Sequence, residues 1–156
     1  MEVSRIRALR GPNLWSRRTA LEAIVACTPA ECSMESLPGF EQRLRALFPD
    51  LGVLRETGHA GTVSLAHVLQ AAALELQAAA GCPVTFSRTS ATLEAGTYQV
   101  VVEYSEEAVG RLAFELARAL VHAALQDATF DLQAAIGRLR DLDEDERMGP
   151  STGAIV

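Results

Sequence analysis

The sequence predicts an α+β fold: a four-stranded, mostly antiparallel sheet with helices packed on one face. Three observations predict it. Some segments alternate apolar and polar residues with the period of a strand. Others repeat apolar residues every three or four positions, as amphipathic helices do. The order is strand, strand, helix, helix, then the same four again, without any repeat in the sequence itself. One sheet with helices on one face buries all of these stripes together.

The elements follow in order. VSRIRAL (3–9) alternates and reads as a strand. RGPNLWSRR follows as a loop, because Gly11, Pro12 and Asn13 are turn residues and Trp15 is expected to pack. ALEAIVAC (20–27) fits a strand or a helix, and Pro29 cuts it short in favour of a strand. GFEQRLRALF (39–48) has apolar residues at 40, 44, 47 and 48, a short helix stopped before Pro49. Residues 50–63 read as loop. A helix is expected over about 63–80, with Gly81 as its C′ residue and Pro83 preventing continuation. VTFSR (84–88) and TYQVVVEY (97–104) read as strands joined by a turn at Glu94-Ala95-Gly96. Ser105 is the expected cap of a helix running to about 124, and Glu106 and Glu107 suit its positive end. That helix carries Val109, Leu112, Leu116 and Leu120 on one face and Arg111, Glu115 and Arg118 on the other, as ion-pair partners. The last helix is expected over about 130–143, followed by a turn at Gly149-Pro150 and an apolar end.

Composition bounds the chemistry. The 156 residues suffice for one domain with a real core, and 49% apolar with 22% charged residues is ordinary for a soluble protein. No run of about 18 apolar residues and no apolar leader is present, so a cytoplasmic protein without a membrane span is expected. Cys27, Cys32 and Cys82 show no C-x-x-C spacing. They are expected to be buried, inert thiols in a reducing compartment, not a zinc site. All 14 basic residues are arginine. Lysine chemistry is therefore excluded: no phosphate-loop lysine, no Schiff base, no Ser-Lys dyad. A net charge of −6 argues against nucleic acid as a partner. The charges are segregated, with Arg5, Arg7, Arg10, Arg17 and Arg18 near the start and Asp141, Asp143, Glu144, Asp145 and Glu146 near the end. Guanidinium groups suit two-pronged contacts to carboxylates.

Three histidines remain. His59 decorates the GHAG loop, and His122 extends the polar face of Arg111, Glu115 and Arg118. His67 lies in SLAHVLQAAALELQ (64–77), almost opposite the stripe of Leu65, Leu69, Ala72 and Leu76. A helical zinc-peptidase motif of the order H-x-x-E-H needs two histidines on one face and a glutamate to activate the metal-bound water. Here those positions are His67, Gln70 and Ala71. An amide cannot take the proton, and a methyl group cannot bind the metal. No catalytic residue and no resident metal are expected.

Six segments together resemble the N-terminal domain of cyanophycin synthetase. They are LRGPNLWSRR (9–18), PGFEQRL (38–44), GTVSLAHVLQAAALELQ (61–77), AGCPVTFSRT (80–89), YQVVVEYSEEAVGR (98–111) and DERMGPSTGAIV (145–156). The resemblance covers almost the whole chain in order. It implies a helix of the form G-T-x-L-x-H-V-x-E-H-x-A-L-E-L-Q, linked in the family to metal-dependent trimming of the polymer. Gln70 and Ala71 depart from that form.

The resemblance also implies a parent that makes a poly-aspartate backbone with arginine on each side-chain carboxylate. An ATP-grasp domain would add aspartate and a Mur-ligase-like domain arginine, with ATP and Mg as their cofactors. Residues 1–147 would form the N-terminal domain, and 148–156 a linker into the ATP-grasp domain. The expected role is non-catalytic: holding the growing cyanophycin polymer near the ligase domains, within a homo-oligomer. The alternatives are an altered trimming peptidase and a purely structural assembly module. A polymer bearing carboxylates and guanidinium groups calls for both charge signs on its binder. Each exposed pair is worth about 0–1 kcal/mol, and many pairs act together through effective concentration. Arg10, Arg17, Arg18 and Arg88 are the expected polymer-binding residues.

Overall fold

The computed structural model describes residues 1–9, 19–52 and 63–155, with side chains through Met148. Its strands are β1 (Glu2–Leu9), β2 (Ala20–Ala26), β3 (Ser87–Ala91) and β4 (Thr97–Glu103). Its helices are α1 (Phe40–Leu47), α2 (Leu65–Ala79), α3 (Glu107–Gln126) and α4 (Leu132–Ile155). Two single 3-10 turns, Ala30–Cys32 and Met34–Ser36, lead from β2 to α1. The strand order is β1-β2-β4-β3, antiparallel throughout. The predicted α+β class and the strand and helix order hold.

Alternation sorts the sheet into two faces. Leu21, Ala23 and Val25 of β2 stand beside Val102, Val100 and Tyr98 of β4 on the helix side. α2 and α3 pack on that side, α1 packs against α3, and α4 packs against both. The core is Leu21, Phe40, Leu44, Leu65, Leu69, Leu76, Phe114 and Leu120, each at most 1% exposed. β1 carries a bulge between Ser4 and Ile6, with Arg5 at φ 54°, which interrupts the ladder in an edge strand and discourages edge-to-edge pairing.

α2 has defined ends. Ser64 caps its start, and Gly81 at φ 95° ends it. The amide of Cys82 reaches the carbonyl of Gln77 at 3.0 Å and that of Gly81 reaches Ala78 at 3.0 Å, the Schellman pattern. On α3, Arg118 pairs with Glu115 as expected, while Arg111 pairs with Glu107.

Four expectations fail on particular residues. β3 lies at Ser87–Ala91, not at 84–88, so the strand is polar SRTSA and the apolar VTF precedes it. An edge strand with one side open needs no apolar run. Ser105 does not cap α3; Glu106 stands at the N-cap without a side-chain cap bond. α4 does not stop near 143 or turn at Gly149-Pro150 but continues to Ile155. A proline removes one helical hydrogen bond and crowds the carbonyl four residues back, which can kink a helix without ending it. Finally, only Cys82 is buried; Cys27 and Cys32 are half-buried.

Candidate functional site

Two places carry the residues singled out above: the start of α2 and the outer face of the sheet. At α2, the single-stripe expectation misplaces His67. The residue is 7% exposed and Gln70 4%. α2 is covered on two sides, by α3 and α4 on one and by β3 and β4 on the other. Its face opposite the leucine stripe therefore meets the sheet, not water.

His67 is the N3 residue of a capping box. Its amide donates to Ser64 Oγ at 3.3 Å, and the amide of Ser64 donates to His67 Nδ1 at 3.2 Å. Ser64 Oγ also lies 2.8 Å from Nδ1. Because Nδ1 accepts from an amide, the neutral ring carries its proton on Nε2. Tyr98 of β4 meets the imidazole edge to face at 5.8 Å between ring centres. Burial pushes the Tyr98 phenol above its ordinary value, and contact with the Cys32 and Cys27 thiols adds to that.

Gln70 lies one turn further along α2. Its Nε2 donates to Ser87 Oγ at 2.7 Å, and its Oε1 accepts from Thr89 Oγ1 at 2.6 Å. The amide thus uses one donor and one acceptor on the same strand, β3. A carboxylate could not donate the first of these bonds and could only accept there from the serine hydroxyl. Ala71 is half-buried beside them and offers no ligand atom. Among the described residues no group of three or more His, Cys, Asp or Glu side chains could hold a metal ion.

On the outer face, one row crosses all four strands: Arg7 (β1), Glu22 (β2), Val101 (β4) and Arg88 (β3). Arg7 grips Glu22 with two prongs, at 2.9 and 3.2 Å, and Gln99 Nε2 donates to the same carboxylate at 3.0 Å. Those bonds raise the Arg7 pKa further. Glu22 is buried at 2% exposure, and its charge is met on both oxygens. At the far end of the row Arg88 is exposed, and its guanidinium makes no hydrogen bond or ion pair among the described residues. Arg10, Arg17 and Arg18, with Trp15 and His59, lie outside the described residues. Glu22 and Gln99 were not singled out from the sequence, and Arg7 only as one of the basic residues near the start. The signal was there: alternation in VSRIRAL and ALEAIVA puts Arg7 and Glu22 on the face opposite Leu21 and Val25.

Comparison with known proteins decides the family. Residues 23–126 match the model of the cyanophycin synthase-like N-terminal domain. The chain belongs to this family. Its similarity runs to proteins named cyanophycin synthetase. One from Trichormus variabilis is 36% identical over 171 residues, one from Synechocystis sp. 34% over 172, and one from Geminocystis herdmanii 33% over 177. Each alignment takes in 100% of this chain and 19 or 20% of the relative. The chain therefore spans about a fifth of the length of the curated relatives it matches. Within the cyanophycin synthetase family it corresponds to the N-terminal domain, and no helix among the described residues is long and apolar enough to cross a membrane.

Proposed function

We propose that this domain holds the cyanophycin polymer for a ligase and does not cut it. The parent enzyme is an ATP-dependent cyanophycin synthetase whose ATP-grasp and Mur-ligase-like domains use ATP and Mg in the cytoplasm, as a homo-oligomer. Residues 148–156 lead towards the ATP-grasp domain.

The observation that carries the reading is the use made of the α2 positions. Gln70 spends its amide on Ser87 and Thr89, and His67 Nδ1 is taken up by the cap of its own helix. Both residues fasten α2, which leaves the peptidase alternative without a base at Gln70 and without a second ligand at Ala71. Binding is supported by the outer row. Arg88 offers an exposed guanidinium fork to a carboxylate, and Arg7, half exposed on the same face, is held in place by the buried Glu22. Exposed contacts of this kind are weak singly and screened by salt, and they gain by repetition along a polymer.

Retention on immobilised cyanophycin tests the role of the face. The 156-residue chain is retained at low salt, and Arg88→Glu elutes earlier with an unchanged circular dichroism spectrum. Identical elution of wild type and Arg88→Glu removes this face from the proposal.

A further inference from the structure

Two of the three thiols share one cavity. Cys27 and Cys32 line a hollow of about 270 Å³ together with Pro29, Ala95 and Gly96. The chain folds Cys32 back over Cys27: after β2 the amides of Glu31 and Cys32 both return to the carbonyl of Thr28, at 2.9 and 3.1 Å, making one helical turn. Cys32 Sγ then stands 4.0 Å from the carbonyl oxygen of Cys27, an atom only two bonds from the Cys27 Cα. Gly96 closes the other wall. Its positive φ of 77° and its lack of a side chain are required there, since a Cβ would come within 2.8 Å of the Cys27 carbonyl oxygen and into contact with Cys32 Sγ at 3.7 Å. Cys82 belongs elsewhere. Its amide bonds at the C-terminal end of α2, whereas the Cys27 thiol faces the amide of Ala66 at the N-terminal end. A 15-residue helix separates these ends by about 22 Å.

We infer that Cys27 and Cys32 form a reversible dithiol–disulfide pair, the redox-sensitive element of this domain. The oxidant is a small disulfide such as oxidised glutathione. The thiolate of Cys32 attacks one glutathione sulfur, the glutathione S–S bond breaks, and one glutathione thiolate leaves. The Cys27 sulfur then attacks Cys32 Sγ, the Cys27–Cys32 bond forms, and the second glutathione thiolate leaves. The two protons lost by the cysteines end on the two glutathione thiols. The protein pair is oxidised by two electrons and glutathione disulfide is reduced by two. Burial pushes the Cys27 thiol up to about 11, so little of it is thiolate and the second, resolving step is the slow one. The link is felt at the start of α2, because Tyr98 contacts both Cys32 and the ring of His67.

The test equilibrates the 156-residue chain in glutathione buffers from reducing to oxidising, quenches with acid, alkylates under denaturant and maps the peptides by mass spectrometry. The expected oxidised form keeps one alkylated thiol, Cys82, and yields a Cys27–Cys32 linked peptide that dithiothreitol reverses. Cys82→Ser retains that link, while Cys27→Ser and Cys32→Ser lose it. Three alkylated thiols at every ratio, a glutathione adduct without the internal link, a link through Cys82, or a link between two chains would each overturn the pair.

Discussion

Gln70 accepts a hydrogen bond of 2.6 Å from Thr89, both side chains almost wholly buried, and this bond joins the central helix to the edge strand. With the bond from the same amide to Ser87, it fixes β3 against α2. Gln70→Ala leaves the Thr89 hydroxyl without its acceptor in a dry place, at a cost of about 1–3 kcal/mol. Thr89→Val on the Gln70→Ala background restores part of that loss by removing the stranded donor. Urea unfolding of the two single variants and the double variant gives the coupling. Strict additivity would contradict the bond.

Two helical glycines are expected to respond in opposite directions. A Cβ on Gly110 of α3 would meet Tyr104 Cβ at 2.6 Å, whereas one on Gly137 of α4 meets nothing within 4 Å. Gly110→Ala is expected to destabilise the fold by about 1–3 kcal/mol through overpacking. Gly137→Ala is expected to stabilise it by about 0.5–1 kcal/mol, because the backbone loses less freedom on folding. Thermal unfolding of the two variants checks both signs.

Alkaline pH should weaken the fold through the cavity thiol. Burial, opposed by the Ala66 amide and reinforced by Cys32 and Glu31, raises Cys27 from 9.0 to about 11. The folded state thus holds this proton more tightly than the unfolded chain. Its contribution is complete below 9.0 and is lost as pH rises towards about 11. Tyr98 and Cys82 are also raised by burial and act in the same direction. The urea midpoint therefore falls across that window, and Cys27→Ser makes the fall shallower. An equal slope in the variant would show that Cys27 is not the titrating group.

The strands were legible where alternation was strong. VSRIRAL and TYQVVVEY are found as β1 and β4, and Pro29 rightly ended β2. β3 was expected three residues too early because its pairing energy comes from β4 and from Gln70, so SRTSA needs no apolar residues of its own. The site was less legible for a similar reason. A helical wheel has one stripe in view, yet α2 is covered on two sides, and this turned His67 and Gln70 from an outward face into a buried one. The half-burial of Cys27 and Cys32 depends on the two 3-10 turns after β2, a path that residue types alone do not specify. Arg88 could be named from the sequence, but its place in a row with Val101, Glu22 and Arg7 required the register.

The central claim is holding without cutting, and one experiment reads both at once. The 156-residue chain is titrated with soluble cyanophycin, with zinc supplied, at low and at high salt. Bound polymer and released dipeptide are then measured in the same samples. The account predicts saturable binding that weakens as salt rises, with polymer length unchanged. Absence of binding at low salt by a chain shown to be folded, or steady release of dipeptide, would contradict it.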